Sequence, residues 1–171
     1  MSYFKSKIFT KNTLNMISNI TKDIHHNGIN VYKSRMASSP QFLIFDIETN
    51  YKSKKIDNIV NIYNNIDLNE ALGNYNYDTK ICNLKNIKIN CADNTGIIYE
   101  SCNILKNMNI NVLNFVSDSY PAPFTNTNVF TLDMNIRVPK EVINKEIESN
   151  MLTFIEKYNV DLSLKDLNWN N

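Results

Sequence analysis

Two rhythms of apolar residues alternate along this chain. From Asn12 to Asn27, Leu14, Met16, Ile17, Ile20 and Ile24 recur three and four residues apart, which predicts a helix with one apolar face. Gly28 follows where a helix needs a left-handed residue to stop. Before it, Tyr3 to Phe9 reads as a strand. After it, Ile29 to Met36 and Gln41 to Thr49 read as two more, joined by the short link Ala37-Ser38-Ser39-Pro40. Ile56, Ile59, Val60, Ile62, Tyr63 and Ile66 mark a second helix, and Tyr77 to Leu84 a fourth strand.

The order then repeats. Ile87 to Cys91 predicts a strand, Thr95 to Met108 a helix, and Ile110 to Ser117 and Asn128 to Val138 two strands. Lys140 to Tyr158 predicts another helix and Val160 to Leu167 a closing strand. The two halves align on the chain itself: Gly28-Ile29-Asn30-Val31 lies over Asn109-Ile110-Asn111-Val112, and Phe45-Asp46 over Leu132-Asp133. A repeat of roughly 80 to 90 residues is too long for a solenoid and fits a duplicated domain. Each copy reads β-α-β-β-α-β, so the predicted fold is α+β. It comprises two tandem ferredoxin-like domains, 1–84 and 85–171, each with a four-stranded antiparallel sheet and helices on one face.

Composition narrows the function. With 18 Lys+Arg against 17 Asp+Glu the formal charge is +1, which offers no long-range pull on nucleic acid or an anionic membrane. No apolar run approaches the length of a membrane span and the first ten residues lack the apolar core of a signal peptide, so a cytoplasmic protein is expected. Cys82, Cys91 and Cys102 form no C-x-x-C pair and read as reduced, buried thiols. His25-His26 end a helix, where adjacent side chains diverge, so no shared metal and no cofactor is expected. Asparagine is abundant but threaded through the apolar rhythm, and it reads as compositional drift.

Two segments carry candidate chemistry. Ala92-Asp93-Asn94-Thr95-Gly96 joins a strand to a helix, whose first N–H groups can hold a carboxylate. Gly96 would let a ligand approach the backbone, Asn94 would cap the helix, and Asp93 would take an ammonium group. Ile97, and Asn114 from the next strand, would complete the site. The alternative is that Asp93 or Asn94 is a plain cap and Gly96 serves packing. The second segment is the stiff loop Tyr120-Pro121-Ala122-Pro123-Phe124-Thr125, where Tyr120, Pro121, Pro123 and Phe124 would form a partner surface, or pack on their own domain.

The second half resembles an ACT domain, a ferredoxin-like module that senses amino acids. Its A-D-N-T-G turn is similar to that family's A-D-R-P-G turn, with Asn94-Thr95 in place of Arg-Pro. The stretch Y-P-A-P-F-T-N-T-N-V-F-T-L-D-M-N-I-R-V-P and the earlier Ser34-Arg35-Met36 resemble the tandem-ACT subfamily of the glycine cleavage system transcriptional repressor. The matching turn of the first half, Lys11-Asn12-Thr13-Leu14-Asn15, has neither Asp nor Gly. The resemblance implies a non-enzymatic regulator that binds glycine or a similar small amino acid. It also implies action on a protein such as a transcription activator, by contact rather than on DNA, and homo-oligomers. Three other readings remain: a dimerisation module without a ligand, a small ferredoxin-like enzyme, and an RNA-binding sheet. The last two lack, respectively, an Arg in a glycine-rich anion loop and a basic, aromatic third strand.

Overall fold

The computed structural model describes residues 4–13, 15–49, 52–64, 82–123 and 127–167. The first unit contains β1 (Phe4–Lys11), α1 (Met16–His26), β2 (Val31–Ser38), β3 (Phe42–Thr49) and α2 (Lys54–Tyr63). The second contains β4 (Cys82–Ala92), α3 (Ile97–Asn107), β5 (Asn111–Pro121), β6 (Asn128–Pro139), α4 (Asn144–Tyr158) and β7 (Asp161–Asp166). This is the expected α+β fold: the second unit shows the full β-α-β-β-α-β order, and the described part of the first shows β-α-β-β-α. Most of the predicted fourth strand, residues 77–81, and Ile66 of the second helix lie outside the described residues. Cys82 to Leu84 belong to β4, which continues unbroken to Ala92 and pairs throughout with β6.

The two sheets are one. Their seven described strands run β1-β3-β2-β5-β6-β4-β7, every neighbour antiparallel, and β2 with β5 forms the join. There Lys33 faces Asp118, Ser34 faces Ser117 and Arg35 faces Val116. Laying Gly28 on Asn109 also lays Arg35 on Val116, so the two units are related by a pseudo-two-fold axis through that pair. Both joined strands break register at matching positions near their starts, between Val31 and Lys33 and between Val112 and Asn114. The shared bulge keeps their side chains in matching phase.

The four described helices lie on the sheet face that carries the core, and the opposite face, hereafter the helix-free face, carries no described helix. Alternate strand residues feed it, among them Ile8, Met36, Phe45 and Ile47 from the first unit and Ile87, Phe115, Leu132 and Met134 from the second. The helices answer with Ile17, Ile20 and Ile24 on α1, Ile98, Cys102 and Leu105 on α3, and Met151 and Phe154 on α4. Helices α1 and α3 touch across the join. Beneath them Phe45 and Phe115 meet edge to face at 5.5 Å. The hydroxyls of Ser34 and Ser117, both buried, satisfy each other at 2.6 Å. Burial pushes the Cys102 thiol up to about 12, in keeping with a packed, inert side chain.

The helix stops explain themselves. Gly28 has φ +66° and Asn109 φ +56°, the left-handed conformation that Gly and Asn tolerate. After each, the chain bonds back identically: Ile29 N–H to Ile24 O at 3.1 Å and Ile110 N–H to Leu105 O at 2.9 Å. Among the described residues, no helix is long and apolar enough to cross a membrane.

Candidate functional site

The turn Asp93–Gly96 leads from β4 into α3 and faces the other unit. Gly96, at φ +95°, is the residue before the helix, and no side chain caps α3. The first helical hydrogen bond runs from Glu100 N–H to Gly96 O at 2.8 Å. The N–H groups of Ile97, Ile98 and Tyr99 precede that bond, so they are the donors that a helix start leaves over. They stand at the positive end of the α3 dipole. Across the join stand the last turn of α1 and its exit, with His25, Asn30 and Val31. Between them is a cavity of about 40 Å³, walled by Ile24, Phe45, Ile97 and Phe130. A water needs roughly 10–15 Å³ on such a measure, so the space suits a few waters or a very small ligand.

The cavity sets the positive start of one helix against the negative end of another. A zwitterion, carboxylate towards α3 and ammonium towards α1, has the complementary charge pattern. Gly96 lies directly under the His25 ring. A Cβ built there would come within 2.8 Å of His25 Cε1. The His25 ring stacks on Tyr99 at 5.6 Å. Its Nδ1 is buried and has no hydrogen-bond partner.

Of the residues expected at the site, Asp93, Asn94, Thr95, Gly96 and Ile97 all line this cavity. Their expected roles shift. Asp93 Oδ2 accepts a hydrogen bond from Ser119 Oγ at 2.6 Å, which fixes the carboxylate against β5. Asn94 does not cap the helix; its Nδ2 donates to Ala92 O at 3.3 Å, back along the turn. Asn114 is not at the cavity. It lies on the helix-free face, where its Oδ1 accepts from Asn135 Nδ2 at 3.0 Å, because the bulge before it turns its side chain outwards. The partner loop also changes. Tyr120 and Pro121 belong to β5, opposite Val129 and Asn128, so of the four expected residues only Pro123 is described in the loop; Phe124 falls outside the described residues. Ala122 N–H bonds Thr127 O at 3.1 Å, so Pro121, one residue back, turns its missing donor away from β6 and costs the ladder nothing.

The residues missed from sequence are His25, Asn30, Tyr99 and Ser119. Three come to the turn from other elements, and only strand order reveals that. No group of His, Cys, Asp or Glu able to hold a metal occurs among the described residues. The thiol nearest the turn, Cys91, is pushed up to about 11 by burial and by the charge of Asp93, so it is not a ready nucleophile.

The helix-free face offers a wider concavity of about 580 Å³ over β1, β3, β2 and β5. Its cations are mostly spent on neighbours: Lys5 on Glu48 at 3.0 Å, Lys7 on Asp46 at 3.4 Å and Lys33 on Asp118 at 3.1 Å. A phosphate track needs cations in excess, which this face lacks.

The chain matches no family profile and no curated protein. Solved structures do match. An unknown protein from Galdieria sulphuraria is 16% identical over 97% of this chain and 98% of its own, with a TM-score of 0.50. Aspartate kinase from Synechocystis is 14% identical with a TM-score of 0.60; the match covers 94% of this chain but only 28% of the kinase. A protein provisionally assigned as a glycine cleavage system transcriptional repressor is 12% identical over 96% of both chains, and its TM-score of 0.40 carries no argument. At these identities the likeness is one of fold: the chain is structurally similar to ACT-domain proteins.

Proposed function

We propose that this chain is a non-enzymatic regulatory module of two ACT units, the second beginning with β4 at Cys82 rather than at residue 85, that binds one class of ligand, a small amino acid such as glycine, at the junction of its halves. The observation that carries the reading is the uncapped start of α3, opening on a small cavity beside Asp93 and the end of α1. The sequence likeness to the glycine cleavage repressor subfamily supports a role in transcription of that system, by contact with a protein such as an activator. The paired charges of the helix-free face speak against direct contact with nucleic acid. The edge strands β1 and β7 of the described sheet are the places for a partner or a second copy to add a strand.

Calorimetric titration with glycine and a panel of other amino acids tests the reading. Saturable binding is expected, and Gly96→Ala should abolish it, since the new Cβ meets the His25 ring at a left-handed backbone position. Wild-type protein that binds no amino acid would sink the proposal and leave a dimerisation module. That second reading draws support from the hydrogen bond of Asp93 to Ser119, which already occupies part of the carboxylate.

A further inference from the structure

We infer that ligand recognition in this pseudo-symmetric molecule is one-sided: of the two symmetry-related turns at the join, only Asp93–Gly96 holds a small-molecule site, to which the first unit contributes His25 as the specificity-determining contact. The inference rests on the reading of the junction as an amino-acid site and adds its stoichiometry and a residue from the opposite unit.

The pseudo-two-fold axis defines where a second site would be. The offset that lays Gly28 on Asn109 lays Asp93 on Asn12, Gly96 on Asn15 and His25 on Lys106. The turns begin alike: Asp93 N–H bonds Asn128 O and Asn12 N–H bonds Gln41 O, both at 2.8 Å. They then diverge. Asn15 enters α1 at φ −98°, a right-handed conformation, where Gly96 enters α3 at φ +95°. The side chain of Asn12 is neutral, and its Nδ2 donates to Ser39 O at 2.6 Å. In place of a rigid imidazole stacked on Tyr99 stands the flexible cation Lys106. The mate of the cavity therefore lacks the acid, the bare left-handed backbone and the ring.

His25 in turn is hard to explain as packing alone. Its Nδ1 is a buried polar atom without a partner, and such an atom lowers stability unless something bonds it. His25 and Asp93 both line the cavity. With Nε2 protonated, Nδ1 is an acceptor, and the ammonium group of an amino acid is a donor of matching chemistry. The same ligand sets its carboxylate on the free N–H groups of α3. His25 thus reads the amino group, and a small carboxylic acid without one should bind weakly.

The test is calorimetry on the full chain with glycine, alanine and acetate. Wild type should bind one amino acid per chain, and acetate weakly. His25→Phe keeps the ring on Tyr99 but removes the acceptor, and should weaken binding about tenfold or more. His25→Asn, with an amide oxygen, should recover part of it. Lys106→Ala, at the mated position, should change neither affinity nor stoichiometry. Near-ultraviolet circular dichroism checks that each variant is folded. Two ligands per chain, or binding in folded His25→Phe equal to wild type, overturns the inference and leaves the amino-acid reading intact. No binding by wild type overturns both.

Discussion

The turn before α3 and the turn before α1 start from the same place in the same repeat, and only one of them opens. Both first residues bond the start of the third strand of their unit at 2.8 Å. The difference lies three residues on, where Gly96 turns left-handed and Asn15 does not. At φ +95° the chain reaches α3 with nothing but backbone beneath His25. At φ −98° a side-chain-bearing residue enters α1 instead. A duplicated fold can therefore keep its core in both copies and its cradle in one. The core is held by many interchangeable apolar contacts, while a cradle depends on a few backbone angles.

Breaking the join is expected to have the largest effect on that comparison. Phe115 is buried beneath both α1 and α3 and rests on Phe45. Phe115→Ala should cost about 3–5 kcal/mol. It should also abolish amino-acid binding, because the wall supplied by the first unit shifts. Denaturant unfolding followed by fluorescence and by circular dichroism would measure the loss. Coincident transitions in wild type that separate in the variant would show that the join couples the two units.

The matched helix stops sharpen the comparison at a smaller scale. Gly28→Ala meets no neighbour within 4 Å but holds φ +66°, so its cost is backbone strain alone, about 1–2 kcal/mol. Asn109→Gly relieves the same strain in the second unit and should stabilise by less than about 1 kcal/mol. Midpoint shifts of opposite sign in thermal melts, the gain from Asn109→Gly smaller than the loss from Gly28→Ala, would confirm that the stops are equivalent even though the turns are not.

The smallest effect concerns the helix-free face. Burial tends to raise the Asp133 carboxyl, but the hydrogen bond from Asn86 and the ammonium of Lys88 together hold it below the ordinary value. A carboxyl lowered in the folded state stabilises above its unfolded value, and that contribution fades as pH falls through the folded one. The group is largely exposed, so Asp133→Asn should cost under about 1 kcal/mol at neutral pH. The difference from wild type should vanish in acid, as pH-dependent melts would show.

Much of this was legible in the sequence. Ile17, Ile20 and Ile24, and again Ile98 and Leu105, spaced the helices correctly, because burial on one face leaves a period in the chain. Gly28 and Asn109 gave the register of the repeat, because left-handed stops admit few residues. The site was only half legible. Asp93 to Ile97 are contiguous and carry a local signal. His25 and Asn30 reach them only because β2 pairs with β5, and pairing between distant strands leaves no local trace. The outward turn of Asn114 depends on a bulge, which shifts every later side chain to the other face.

The pairing of Arg35 with Val116 has a further consequence. On the axis of a dimer of identical subunits a residue meets its own copy, so this contact between unlike residues is open to a fused chain and closed to such a dimer. Fusion also removes dilution from the equilibrium. Two separate subunits part when scarce, whereas halves on one chain face each other at a fixed effective concentration. A ligand site at such a seam would stay assembled at any copy number.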